Sequence, residues 1–281
     1  MLSMILFTAC VDFTTTNRVE ELRVMAVQTV PAEISPNDGP AEINIVITDP
    51  DAKGAEVMVW PCTDFGEGCL EAEFFTDDLT GWVQTFTKEQ TVSTIPLNIP
   101  PELSFVLAEL PEDAIPFTGT TLWVLACEPG VCDAFSQLRD GTLDKSWLSK
   151  PKKMIEGLAL NEASLARRRL RLSNRQMDER IQNPTLTPTF SDPVTVQLGE
   201  SRELIFAYDF NAEADGIDLH SYSSVGLIDL NPDEEAFPED ATTGNLFFVW
   251  QAAEQSESGE IFVILENAGG VDFWVGQGTV E

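Results

Sequence analysis

Along most of the chain, apolar residues alternate with polar ones at a period of two. That is the spacing of a strand whose side chains point to opposite faces. Ile43, Ile45 and Ile47 alternate with Asn44, Val46 and Thr48, which predicts a strand with one buried and one wet face. Residues 22–30, 55–60, 82–86, 91–95, 104–107 and 122–126 read as further strands, rich in β-branched and aromatic residues. Turn chemistry separates them: residues 33–40 hold Pro36, Gly39 and Pro40, and residues 49–54 hold Pro50 and Gly54. The pattern changes at residues 133–160, which suit helix and carry Trp147. It returns at residues 165–173, where Leu170 and Leu172 alternate with Arg169 and Arg171.

The second half repeats the first faintly. Residues 203–209 run into an acidic turn ending at Gly216, as residues 42–49 run into one ending at Gly54. Residues 261–265, the turn 266–270 and residues 271–275 read as a closing hairpin. The segments Leu22 to Val27, Pro31 to Pro36, Thr48 to Asp51 and Trp60-Pro61-Cys62 resemble the opening of an immunoglobulin-like (PKD-like) sandwich. Such modules stand behind a lipid-bearing cysteine in predicted lipoproteins of myxobacteria and related deltaproteobacteria. The resemblance implies an all-β chain of two immunoglobulin-like β-sandwich domains, the first with a partly helical insertion. The expected layout is domain 1 over 20–173 with the insertion at 133–164, a Pro-containing linker over 174–192, and domain 2 over 193–281.

Residues 1–10, Met-Leu-Ser-Met-Ile-Leu-Phe-Thr-Ala-Cys, are a short apolar run, two small residues and a cysteine. They resemble the end of a bacterial lipoprotein signal, cut just before a cysteine that takes the lipid. The resemblance implies a signal over 1–9, lipidation at Cys10, and a tether over 10–19. Burial of each acyl methylene contributes about 0.8 kcal/mol, so a multiply acylated cysteine holds firmly to a membrane. Val11 after the cysteine implies, by the same resemblance, export to the outer membrane, on a periplasmic or surface face.

Composition narrows the partners. The chain has 281 residues, 43% of them hydrophobic, enough for about two packed domains. Its formal charge is −31, from 16 basic and 47 acidic residues, which excludes nucleic acid as a natural partner. Past the leader, no run reaches the ~18–20 apolar residues of a membrane-crossing helix. Removing Cys10 leaves Cys62, Cys69, Cys127 and Cys132, in two close pairs around Gly-containing loops. Two local disulfides are expected, each contributing roughly 2–3 kcal/mol by loop closure. A cross-link between Cys62 and Cys127 is the alternative, and a metal site is the rival chemistry.

Three further groups are candidates for chemistry. Ten of the basic residues fall between Lys145 and Arg180, including Lys150, Lys152, Lys153, Arg167, Arg168, Arg169 and Arg171. This basic patch suits anionic headgroups or an acidic partner; the competing reading is internal neutralisation against the acidic second domain. Asp209, Asn211, Glu213, Asp215 and Asp218 place oxygens at alternating positions and raise calcium as the one cofactor to consider, although their glycine spacing is not that of an EF-hand. The single His, His220, lies in a strand-like run and reads as structural, and no nucleophile or metalloprotease motif is present. The five Trp residues in strand-like runs, Trp60, Trp82, Trp123, Trp250 and Trp274, read as core. The expected function is therefore a lipid-anchored envelope protein that binds an envelope protein or glycan, or acts as a spacer, without catalysis. A calcium- or carbohydrate-dependent adhesion module is the alternative, and a carboxylate-based hydrolase the third reading.

Overall fold

The computed structural model describes residues 18–35, 41–51, 53–63, 83–87, 90–97, 107–114, 116–148, 150–159, 161–211, 216–231, 237, 241–252 and 254–281. The expected signal, Cys10, Cys69, Trp82, Glu213 and Asp215 lie outside the described residues.

In the first half, β1 (Arg23–Val30), β3 (Ala41–Thr48) and β6 (Val92–Leu97) form an antiparallel sheet in the order β1-β3-β6. The facing sheet holds β2 (Glu33–Ile34), β4 (Ala55–Thr63), β5 (Val83–Phe86), β7 (Phe117–Cys127) and β8 (Ala163–Leu172), in the order β2-β8-β7-β4-β5. The entering strand serves both sheets. Proline has no N–H for a ladder, so Pro31 ends β1, and the chain steps across to lay β2 parallel to β8. Ile43, Ile45, Val57, Val124 and Leu170 fill the space between the sheets, all inaccessible to solvent. Each contributes roughly 1.5–3 kcal/mol by leaving water.

The second half repeats this plan. One sheet runs β13 (Leu227–Leu230), β14 (Thr243–Gln251), β11 (Ser201–Asp209), β9 (Thr185–Pro188). The other runs β10 (Val194–Val196), β16 (Val271–Val280), β15 (Glu257–Glu266), β12 (Asp218–Ser223). Here Pro193 separates β9 from β10, and β10 lies parallel to β16. Its core is aromatic: Phe206, Phe248 and Trp250 are fully buried, with the first two rings edge to face at 5.7 Å. Two mainly antiparallel sheets, an entering strand shared between them, and a closing hairpin make each half an immunoglobulin-like sandwich. Among the described residues the chain is all-β apart from short helical segments and a few 3-10 turns.

Two boundaries differ from expectation. β9 falls inside the stretch 174–192 and pairs with Phe206 to Asp209, so the second sandwich begins before residue 193. Its prolines suggested a linker, but β9 lies at a sheet edge, where Pro188 needs no ladder partner on its outer side. The insertion ends at residue 162, because Ala163 already pairs with Cys127 in the β7–β8 ladder.

The insertion adds a third layer. It comprises α1 (Asp133–Arg139) and 3-10 turns at Lys145–Trp147 and Pro151–Ile155. Phe135, Leu138, Leu148 and Met154 pack on Met58, Trp60 and Leu125 from the outer face of β4 and β7. A disulfide between Cys127 and Cys132 ties the end of β7 to the start of α1. Cys127 is therefore unavailable to Cys62, and the cross-strand alternative does not form. Cys62 is itself disulfide-bonded. Trp60 is buried as expected, but under the insertion rather than between the sheets, where its Nε1 donates to the Leu148 carbonyl at 3.1 Å.

Candidate functional site

Strands usually show one face to water, yet several here are buried on both. Val46 and Thr48 are fully buried, not wet, and Val46 is so because the outer face of β1 and β3 packs on the outer face of β12, β15 and β16. Ala26 and Val46 from the first sandwich meet Tyr222, Phe262, Ile264 and Val271 from the second. The continuous apolar run Ile261 to Leu265 serves two cores: Ile261, Val263 and Leu265 face inward, and Phe262 and Ile264 face this seam. A run apolar at every position is the sequence signal for such a doubly buried strand.

Polar residues frame the seam. The Gln28 side-chain amide donates to the Val271 carbonyl at 2.8 Å and to the Asp272 carboxylate at 3.1 Å. Asn44 donates to Gln28 at 2.9 Å, and Asn183 to the Thr29 carbonyl at 2.8 Å. Thr91 donates to Glu260, and Arg168 pairs with Glu266 across the junction. Arg18 and Val19, expected at the end of a tether, are instead fixed: Val19 is buried and its N–H donates to the Ser223 carbonyl at 2.9 Å. The chain thus touches the second sandwich before it builds the first.

Beside the seam lies an open cleft of about 630 Å³. Arg18, Asp49, Thr91, Glu257 and Glu260 contribute to its walls. Burial pushes the Glu260 carboxyl above its ordinary range, opposed by the hydrogen bond from Thr91 and reinforced by the charge of Asp49. Burial also raises the Asp272 carboxyl, against stabilising bonds from the Leu186 and Phe273 N–H groups and Gln28. Gln28, Asn44, Glu260 and Asp272 were not singled out by sequence, since nothing local marks a polar residue that will face another domain.

The basic window divides. Residues directly opposite in an antiparallel ladder share a face, and Arg167 sits opposite Trp123 while Arg169 sits opposite Thr121. Trp123 packs against the insertion, so Arg167 and Arg169 stand on the insertion-bearing face. The turn Pro151–Ile155 packs on β8 and presents exposed Lys152 and Lys153, next to exposed Lys150. Arg168 points the other way and is neutralised by Glu266, and Arg175 by the fully buried Glu33. Arg171 is half-buried opposite Glu33.

The acidic turn after β11 is only partly described. Asp209 accepts from the Asn211 N–H at 2.8 Å within the turn, and the Asn211 side-chain amide donates to the Asn183 carbonyl at 2.6 Å, tying the turn to the start of β9. Asp218 is exposed at the start of β12. No group of three or more metal-ligating side chains occurs among the described residues. His220 lies half-buried on β12, its ring stacked on Tyr222 with centroids 6.1 Å apart.

No protein-family model and no curated protein sequence matches the chain. Among solved structures it is similar to a chimeric titin Z1Z2 tandem, at 12% identity over 95% of this chain and 99% of that one, with a TM-score of 0.31. It is also similar to Escherichia coli alpha-2-macroglobulin, at 14% identity over 96% of this chain but 22% of that one, with a TM-score of 0.28. A titin A168–A169 structure matches at 11% identity over 93% and 96%, with a TM-score of 0.26. Likenesses this distant add no weight to the strand order, which by itself makes both halves immunoglobulin-like sandwiches.

Proposed function

We propose that this chain is a lipid-anchored cell-envelope protein that works by binding or spacing, not by catalysis. The observation that carries the reading is the seam. Domains joined in one chain usually move against each other unless their interface is large and apolar. Here both sides of the junction bury apolar side chains, and hydrogen bonds at its margins fix the register. Two sandwiches held as one body suit a part that positions something at a set distance. The leader-like residues 1–10 supply the anchor in this reading, with Cys10 carrying the lipid. The contact of Val19 with Ser223 then makes a tether leave the protein at the domain junction.

Mass spectrometry of the protein isolated from its native membrane tests the anchor. The expected N-terminal peptide begins at Cys10 and carries acyl groups. An intact peptide beginning at Met1 with an unmodified Cys10 would overturn the reading.

A further inference from the structure

Strand alternation sends Arg168 inward to Glu266 and leaves Arg167 and Arg169 pointing outward. The Pro151–Ile155 turn of the insertion packs on the same strand, and Lys150, Lys152 and Lys153 are exposed on and beside that turn. All five are exposed, and among the described residues none of the five forms an ion pair. Arg167 and Arg169 are two residues apart on one strand face, roughly 7 Å. One acid intrudes: the charges of Lys153 and Lys150 help hold the Asp144 carboxyl below its ordinary range, after its hydrogen bonds from Ser146. In a chain of formal charge −31, this is a local cationic face.

We propose that this face, made by Lys150, Lys152, Lys153, Arg167 and Arg169, docks the protein against an anionic bilayer surface. This rests on the reading that the chain works at a membrane. Charges act over a Debye length of about 8 Å at physiological salt, so the face nearest the membrane decides the interaction and the distant acids are screened. Because the net charge opposes approach to anionic surfaces, the face by itself binds them only weakly, and the anchor strengthens that binding by holding the molecule close. A protein partner fits less well. Stable protein interfaces have an apolar centre, and among the described residues the exposed large hydrophobics, Val30, Val92, Met177, Leu198 and Leu227, all lie off this face. Headgroup phosphates need only the cations. Half-buried Trp147, at the same layer, belongs to the residue type enriched at headgroup level.

The test uses the full chain with Cys10→Ala, which cannot be acylated, in sedimentation with vesicles of neutral phosphatidylcholine or of phosphatidylcholine mixed with phosphatidylglycerol. Binding is expected only to the phosphatidylglycerol vesicles at low salt, and is expected to vanish at high salt. Each exposed cation near an anionic surface shifts partition by about fivefold. The triple variant Lys152→Glu, Arg167→Glu, Arg169→Glu, which removes three cations and adds three anions, is therefore expected to lower partition by at least about 100-fold. A thermal melt checks that the variant remains folded, as expected for solvent-facing side chains. Equal partition of parent and variant, or binding indifferent to salt or phosphatidylglycerol, would overturn the proposal. So would concentration-dependent self-association that the triple variant abolishes without any vesicle binding, since the face would then take a second copy of the chain. No acyl group is present, so failure here leaves lipidation at Cys10 untouched, and failure of the anchor leaves this result untouched.

Discussion

Single residues set the tolerances of the second sandwich. Gly278 on β16 lies against the buried Trp250 ring, whose Nε1 donates to the Val225 carbonyl at 2.8 Å. A Cβ at Gly278 would stand 2.9 Å from both Trp250 Cζ2 and Ile261 Cδ1, closer than packed carbons sit. The indole is held by its hydrogen bond and cannot yield easily. Gly278→Ala is expected to destabilise the protein by about 1–3 kcal/mol, the usual cost of overpacking. Denaturant unfolding of parent and variant measures it, and an unchanged midpoint would show that Trp250 moves freely. The burial of Trp250 was legible, because a Trp between alternating apolar residues in a strand belongs inside. The layer that buries Trp60 was not, since alternation gives the face and not what covers it.

Elements are joined by devices that sequence shows only in part. The insertion holds one regular helix of seven residues, too short to be stable alone. It is kept in place by Phe135, Leu138, Leu148 and Met154 packing on β4 and β7, and by the Cys127–Cys132 bridge at its entry. Closing so short a loop removes about 2 kcal/mol of chain entropy from the unfolded state. Cys132→Ser is expected to lower stability by about that amount. Hydrogen exchange should show the loss first in residues 133–158, with β11 and β14 unaffected. Uniform loss across both sandwiches would instead mean that the insertion and strands unfold as one unit. The alternation of Leu170 and Leu172 with Arg169 and Arg171 predicted β8 well, because a strand's faces follow directly from its residue order. The edge strand β9 escaped because four residues with a Pro carry little pattern.

At the scale of the molecule, the seam places carboxylates where ionisation is costly. Glu260 and Asp272 both have folded-state values raised chiefly by burial. Between the ordinary value and the raised one, the folded state binds more protons than the unfolded state, so stability falls as pH rises through that window. The contribution is complete below the ordinary carboxylate values and gone above the raised ones. Thermal midpoints taken across mildly acidic pH should therefore fall with rising pH, and less steeply in the double variant Glu260→Gln, Asp272→Asn. General repulsion among the 47 acidic residues has the same sign but is shared by both proteins. Parallel slopes would remove these two groups from the account.

The residue order alone was enough for the all-β class, for two units of similar plan and for the inward face of most strands. Those properties are local: side-chain period and turn chemistry act within a few residues of each other. The pairing of the halves came only with tertiary structure. Whether Val46 meets water or another sheet depends on Phe262 and Ile264, more than 200 residues away, and the same distant packing splits one run of arginines into a half-buried ion pair and an exposed cationic face. Burial and charge pairing are properties of space, and a linear pattern constrains them only where neighbours in sequence are also neighbours in the fold.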